Sequence, residues 1–108
     1  MFPKGPPPEN VVTKDLRVGR GPKLHWGDPF VMNYVGFDYQ THETFQRQWG
    51  GDQSMHWTYG KEMVQAFVRG LQGMRVGGRR EIIAPSNMAY NSGAVIYLVE
   101  LIGTESSQ

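Results

Sequence analysis

Alternating apolar and polar positions dominate the chain, and they mark strands. The run Phe30-Val31-Met32-Asn33-Tyr34-Val35-Gly36-Phe37 places Phe30, Met32, Tyr34 and Gly36 on one face and Val31, Asn33, Val35 and Phe37 on the other. Residues 94–102 are apolar on both faces except at Glu100, the pattern of a central strand. Residues 11–18 read as an edge strand with charges toward water. Residues 44–49 read as a further strand, broken at Gly50-Gly51-Asp52, and 54–58 as a third central strand ending at Tyr59-Gly60. Residues 80–84 form a short strand that Pro85 closes by removing a ladder donor. One segment has helical spacing. Over 61–69, Met63 and Phe67 sit four apart, as do Val64 and Val68, which gives one broad apolar face. Gly60 is a weak N-cap and Gly70 suits the position just past the end. Glu62 and Arg69 match the helix dipole. At about nine residues the helix is too short to stand alone and needs a sheet to lie on.

These periods predict an α+β fold, a curved antiparallel sheet of about five strands wrapped around one short helix. Met32, Tyr34, Phe67, Ile82, Val95, Tyr97, Val99 and Leu101 are expected to point inward. A length of 108 residues allows one domain with a modest core. The expected organisation is a Pro-rich arm over 1–10, the domain over 11–103 and a tail over 104–108. With 14 Gly and 7 Pro, turns are frequent, which favours a β-rich chain over a helix bundle. The sequence Val76-Gly77-Gly78-Arg79 is the clearest tight-turn signal, because Gly tolerates positive φ. A net charge of +1 gives no electrostatic case for nucleic acid or an anionic membrane. The absence of Cys excludes disulfides, thiol nucleophiles and thiolate zinc sites. No run approaches the roughly 18 apolar residues of a membrane span. The first residues, Met1 to Pro8, lack the apolar region of a signal peptide, so a cytoplasmic location is expected.

Conventional catalytic groups are scarce. His25, His42 and His56 are scattered and read as surface or hydrogen-bonded histidines rather than metal ligands. Ser54, Ser86 and Ser92 lack a nucleophile-elbow context. Asp15, Asp28, Asp38 and Asp52 fall mostly in turns, where carboxylates cap backbone donors. Arg75, Arg79 and Arg80 read as a solvated strand face. What remains is an aromatic and aliphatic set, Tyr34, Phe45, Met55, Met63, Val64, Phe67, Tyr90 and Tyr97, whose first meaning is core.

A longer pattern changes the weight of that set. Gly73-Met74-Arg75-Val76-Gly77 is followed by a basic strand, by Pro85 and by the pair Ala89-Tyr90. With Tyr34-Val35-Gly36 upstream and Val99-Glu100-Leu101-Ile102 downstream, the chain resembles the FKBP-type peptidyl-prolyl cis–trans isomerases over about residues 9–102. The resemblance implies an apolar pocket between helix and sheet. Phe67 would be its floor, where the family often has Trp. Tyr34, Phe45, Met55, Tyr90 and Tyr97 would be its walls. Met63 and Val64 would stand at the helix start, with the Val64 amide binding one substrate carbonyl and the Tyr90 hydroxyl another. The implied catalytic set is Tyr34, Phe45, Gln46, Phe67, Tyr90 and Tyr97, and the implied substrate-binding set is Met55, Met63 and Val64.

The implied activity is rotamase action on X–Pro bonds of proline-containing polypeptides, a protein-folding role for a monomer without cofactor or metal. Rotation breaks amide conjugation against a barrier of roughly 18–20 kcal/mol. The twisted amide has less charge separation than the planar one, so an apolar, water-poor pocket favours it without any acid or base. Two departures stand out. Gln46 occupies the place of the usual Asp, and the loop after the Ala-Tyr pair shrinks to Asn91-Ser92-Gly93. The short loop implies weak binding of macrolide ligands. Both departures leave open an alternative, a binding or chaperone module of the same fold that holds Pro-containing or unfolded segments with weak or no turnover.

Overall fold

A computed structural model describes Pro3 and residues 5–104 of the chain. Six strands form one antiparallel sheet: β1 (Val12–Arg17), β2 (Pro29–Asp38), β3 (Thr44–Gln48), β4 (Met55–Thr58), β5 (Arg79–Ala84) and β6 (Val95–Thr104). Their order is β1-β5-β6-β2-β3, with β4 also on β2. The sheet curves around the α-helix α1 (Gln65–Gly70), and short 3-10 turns span Gly51–Gln53 and Ser86–Met88. The expectation of about five strands meets six because β3 and β4 share one edge of β2. β3 pairs with residues 34–37 and β4 with residues 29–32. Residues 54–58 are therefore not a central strand. The break at 50–53 turns one edge strand into two, and His56, Trp57 and Thr58 stay exposed.

The long strand β6 lies between β5 and β2, as its two apolar faces require. Met32, Tyr34, Phe67, Ile82, Val95, Tyr97, Val99 and Leu101 are all buried in one core between sheet and helix. The edge strand β1 is exposed along its length and pairs only with β5.

The helix starts later than its apolar spacing predicts, at Gln65 rather than 61. Met63 N–H bonds back to the Gly60 carbonyl in a turn, and Val64 is the N-cap in extended geometry. Glu62 therefore falls outside α1. Gly70 is inside the helix rather than past it. A Cβ there would lie 2.6 Å from the Ile82 side chain, so Gly70 lets the helix press on β5.

The basic cluster is a solvated face only in part: Arg75 is exposed and Arg79 partly so, but Arg80 is not. Arg80 is buried and donates to the Gly70 and Gln72 carbonyls at 2.8 and 2.7 Å, while its Nε meets Asp15 of β1 at 2.7 Å. It thereby satisfies one carbonyl that the end of α1 leaves open and one in the turn that follows. Arg75 donates to the Gly21 carbonyl and Arg79 to Glu100. Glu100 of β6 also accepts from Arg17 of β1 at 2.8 Å and from Asn33 of β2 at 3.2 Å. Asn33 in turn accepts from Gly50 N–H and the Ser54 hydroxyl. One polar seam thus crosses the outer face of the sheet from β1 to the β3–β4 connection. Residues 1, 2 and 4 of the expected arm and 105–108 of the expected tail lie outside the described residues. Within the arm, the Pro6 carbonyl accepts from the Tyr39 hydroxyl at 3.3 Å.

Candidate active site

On the inner side of the sheet, β2, β3, β4, the start of α1 and the Ala89-Tyr90 turn enclose a cleft of about 290 Å³. Phe67 is its floor, only 4% exposed. Helical geometry fixes it there, because Ala66, Phe67 and Gly70 form the buried side of α1. The ring of Tyr34 meets Phe67 edge-on at 5.5 Å, and Tyr97 packs tilted against it at 4.6 Å. Such pairs hold a ring in one orientation beyond their area burial. Met55 from β4 and Met63 and Val64 before the helix complete the apolar wall. The Val64 carbonyl accepts from Phe67 and Val68, whereas its N–H meets no acceptor among the described residues.

The polar side of the cleft is made of the Gln46 amide, the Tyr34 and Tyr90 phenols and the Glu62 carboxylate. Tyr90 is half exposed at its mouth. Gln46 Oε1 and the Tyr97 hydroxyl are buried without a hydrogen-bond partner, an arrangement that costs about 1–3 kcal/mol per group unless a ligand or water supplies one. Burial, and then Tyr90, push the Tyr34 phenol above its ordinary pKa. Burial pushes Tyr97 much further up, aided by Tyr90 and Tyr34. Tyr90 is close enough to act on Tyr97 electrostatically yet short of hydrogen-bond geometry. Both phenols therefore stay protonated across neutral pH. Gly36 makes this packing possible, since a Cβ there would come within 2.9 Å of both Phe45 and Tyr97.

The cleft brings together Tyr34, Gln46, Phe67 and Tyr90 with Met55, Met63 and Val64. Phe45 lies outside it. Its ring packs on Tyr97 at 6.0 Å and lines an adjoining cleft of about 440 Å³ with Asp38, Ser92 and Gly93. Tyr97 lies beneath the cleft rather than on its wall. Two lining residues, Trp57 and Glu62, were not anticipated from the sequence. Trp57 had a signal: in a strand it shares the face of Met55 two residues before. Glu62 was hidden by the expectation that it began a helix.

Residues 21–100 match the family model of the FKBP-type peptidyl-prolyl cis-trans isomerase. The chain belongs to this family. An FK506-binding protein of Streptomyces anulatus is 37% identical over 90 residues, covering 82% of this chain and 73% of that protein. A probable FK506-binding protein of Corynebacterium glutamicum is 32% identical over 110 residues, covering 94% and 92%. Among solved structures, a putative peptidyl prolyl cis-trans isomerase from Mycobacterium tuberculosis is 33% identical with a TM-score of 0.69, over 95% of this chain and 90% of that one. The N-terminal domain of FKBP42 from Arabidopsis thaliana, 21% identical with a TM-score of 0.79 over 92% and 89%, shares the fold. As an FKBP-type enzyme, the protein is a peptidyl-prolyl cis–trans isomerase, and its activity is rotation about X–Pro bonds.

Proposed function

We propose that this isomerase seats the X–Pro segment of a polypeptide over Phe67 and twists the amide there without any covalent or acid–base step. The observation that supports this most is the cleft itself: an aromatic floor and walls of Met55, Met63, Val64 and Tyr34, with Gln46, Glu62 and Tyr90 as its polar groups. The unpaired Val64 N–H is placed to hold one substrate carbonyl, and the half-exposed Tyr90 hydroxyl another. With the flanking carbonyls held, the chain on one side of the bond is fixed while the other turns. The apolar surroundings favour the less polar, twisted amide. Phe45 and Tyr97 act at one remove, by supporting the floor and Tyr34. An isomerisation assay on a short X–Pro peptide tests this. Wild type accelerates the exchange, and Phe67→Leu, which keeps an apolar side chain, loses much of it. A Phe67→Leu variant with full turnover would place the reaction elsewhere.

Two observations favour a second reading, a module that holds Pro-containing or unfolded segments with little turnover. Gln46 brings no charge to the polar edge, and the three-residue connection at 91–93 leaves that side of the cleft open. The same assay separates the readings, because a pure binder shows saturable peptide binding with no acceleration. Under either reading the partners are proline-containing polypeptides. The short loop also supplies little wall for a macrolide, so calorimetric titration is expected to give weaker affinity than in long-loop relatives. We assign the isomerase unit to residues 11–103, with 1–10 as an arm and 104–108 as a tail whose first residue, Thr104, still ends β6, and read it as a cytoplasmic monomer in protein folding. Among the described residues no helix is long and apolar enough to cross a membrane.

A further inference from the structure

The exposed large aromatic side chains among the described residues, Trp26, Phe45, Trp57 and Tyr90, all border three adjoining clefts. The cleft over Phe67 shares Gln46 and Tyr90 with the neighbour on one side, and Trp57 and Glu62 with the neighbour on the other. That second neighbour measures about 650 Å³, more than twice the central 290 Å³. Its aromatic wall is Trp26, Trp57 and Tyr59, and its polar rim is His56, Thr58, Lys61 and Glu62. Trp26 and Trp57 are 60% and 51% exposed, and Trp26 meets Tyr59 edge-on at 5.4 Å. This wall is built rather than loose. Gly27 N–H donates to the Tyr59 carbonyl at 2.7 Å, Tyr59 N–H donates to the Asp28 carbonyl at 2.9 Å, and the Tyr59 hydroxyl donates to Val68 of α1.

A polypeptide substrate continues on both sides of the bond that turns. The central cleft is at the small end of ligand cavities, which span about 300–1,000 Å³. An extended chain advances roughly 3.3–3.6 Å per residue, so residues beyond the X–Pro pair leave the cleft almost at once. One exit crosses Tyr90 and Gln46 toward a mixed wall of Phe45, Val95, Asp38 and Ser92, with a single further ring. The other crosses Trp57 onto two open indole rings, where a planar apolar side chain gains both area and ring-on-ring contact. We propose that Trp26, Trp57 and Tyr59 form a second subsite, which takes an aromatic side chain of the substrate two or three residues beyond the X–Pro pair. The inference rests on the pair sitting over Phe67, and it makes Trp26 a specificity-determining residue outside the reacting centre.

The test uses a peptide series with a fixed X–Pro pair in a Gly background. Phe is placed two or three residues before or after the pair, and kcat/KM is measured for each. One flank is expected to favour Phe over Gly by roughly five- to tenfold, and the favoured side gives the direction of the chain. Trp26→Ala should bring that ratio close to one, and Trp26→Phe should restore part of it. Equal rates for Phe and Gly at every position in wild type overturn the proposal, and so does a preference that survives Trp26→Ala. If no peptide is turned over, the isomerase reading of the cleft fails instead. The ratio of Kd values for the same peptides, read from Trp fluorescence, then decides the subsite by the same criterion.

Discussion

At the scale of single residues, Phe67 and Gln46 separate structure from chemistry. Phe67 is core and floor together, so Phe67→Ala should lower stability by about 3–5 kcal/mol in urea unfolding as well as abolish turnover. Gln46 is different, because its buried Oε1 has no partner. Gln46→Asp restores an acceptor that can ionise beside Tyr34 and Tyr90. A charge-assisted bond exceeds a neutral one by about 1 kcal/mol, which predicts a severalfold rise in turnover with one fixed peptide. No change would mean that the orphan atom has no part in the reaction. In wild type, turnover should be level across neutral and mildly alkaline pH, since burial keeps the Tyr34 and Tyr97 phenols protonated there. That Tyr34 and Phe67 point inward was legible in the sequence because period-2 and period-4 spacing fix their faces, whereas a cleft above them was implied only by the family resemblance. The positions of Phe45 and Tyr97 were not legible, since spacing gives a face but not which of two stacked layers a ring occupies. Phe45 and Tyr97 share the inner side with Tyr34, yet one opens into the next cleft and the other is sealed below.

Among elements, the end of α1 is held by one side chain from the sheet. Arg80 replaces the cap that a six-residue helix cannot supply for itself. Arg80→Met should leave the Gly70 and Gln72 carbonyls unsatisfied and cost about 2–4 kcal/mol. Asp15→Asn should cost under about 1 kcal/mol, because that carboxylate is nearly half exposed and screened. Urea midpoints for the two variants check the contrast, and equal losses would mean that the ion pair, not the carbonyls, sets the cost. Arg80 also shows where composition misleads. Three arginines in six residues look like a wet surface, but a buried guanidinium with two carbonyls and a carboxylate is a pairing between segments far apart in sequence. The same limit applies to the start of α1. Residues 61–63 have helical spacing, and the hydrogen bond from Met63 back to Gly60 forms a turn instead, which no period in the sequence encodes.

For the whole molecule, the order of the strands was beyond the sequence, while their number and faces were largely within it. The seam through Glu100 depends on that order. Its carboxyl is opposed by burial, but hydrogen bonds from Arg79, Asn33 and Arg17 outweigh this and hold its pKa below the ordinary value. A lowered folded pKa means stabilisation that is fully present above the unfolded value of about 4.3 and is lost as pH falls through the folded one. Glu100→Gln should therefore be less stable than wild type at neutral pH, and the gap should narrow in acid, as followed by unfolding at a series of pH values. A gap that stays constant with pH would show that the charge of Glu100 is not what stabilises. The seam lies on the outer face of the sheet, and the cleft lies on the inner one. Changes on opposite faces without shared partners add, so Glu100→Gln and Phe67→Leu should show almost no coupling in a double-mutant cycle. The sheet then works as an insulator. Tolerance of acid can drift on one side while choice of client drifts on the other, and neither trait has to be traded for the other as the sequence diverges.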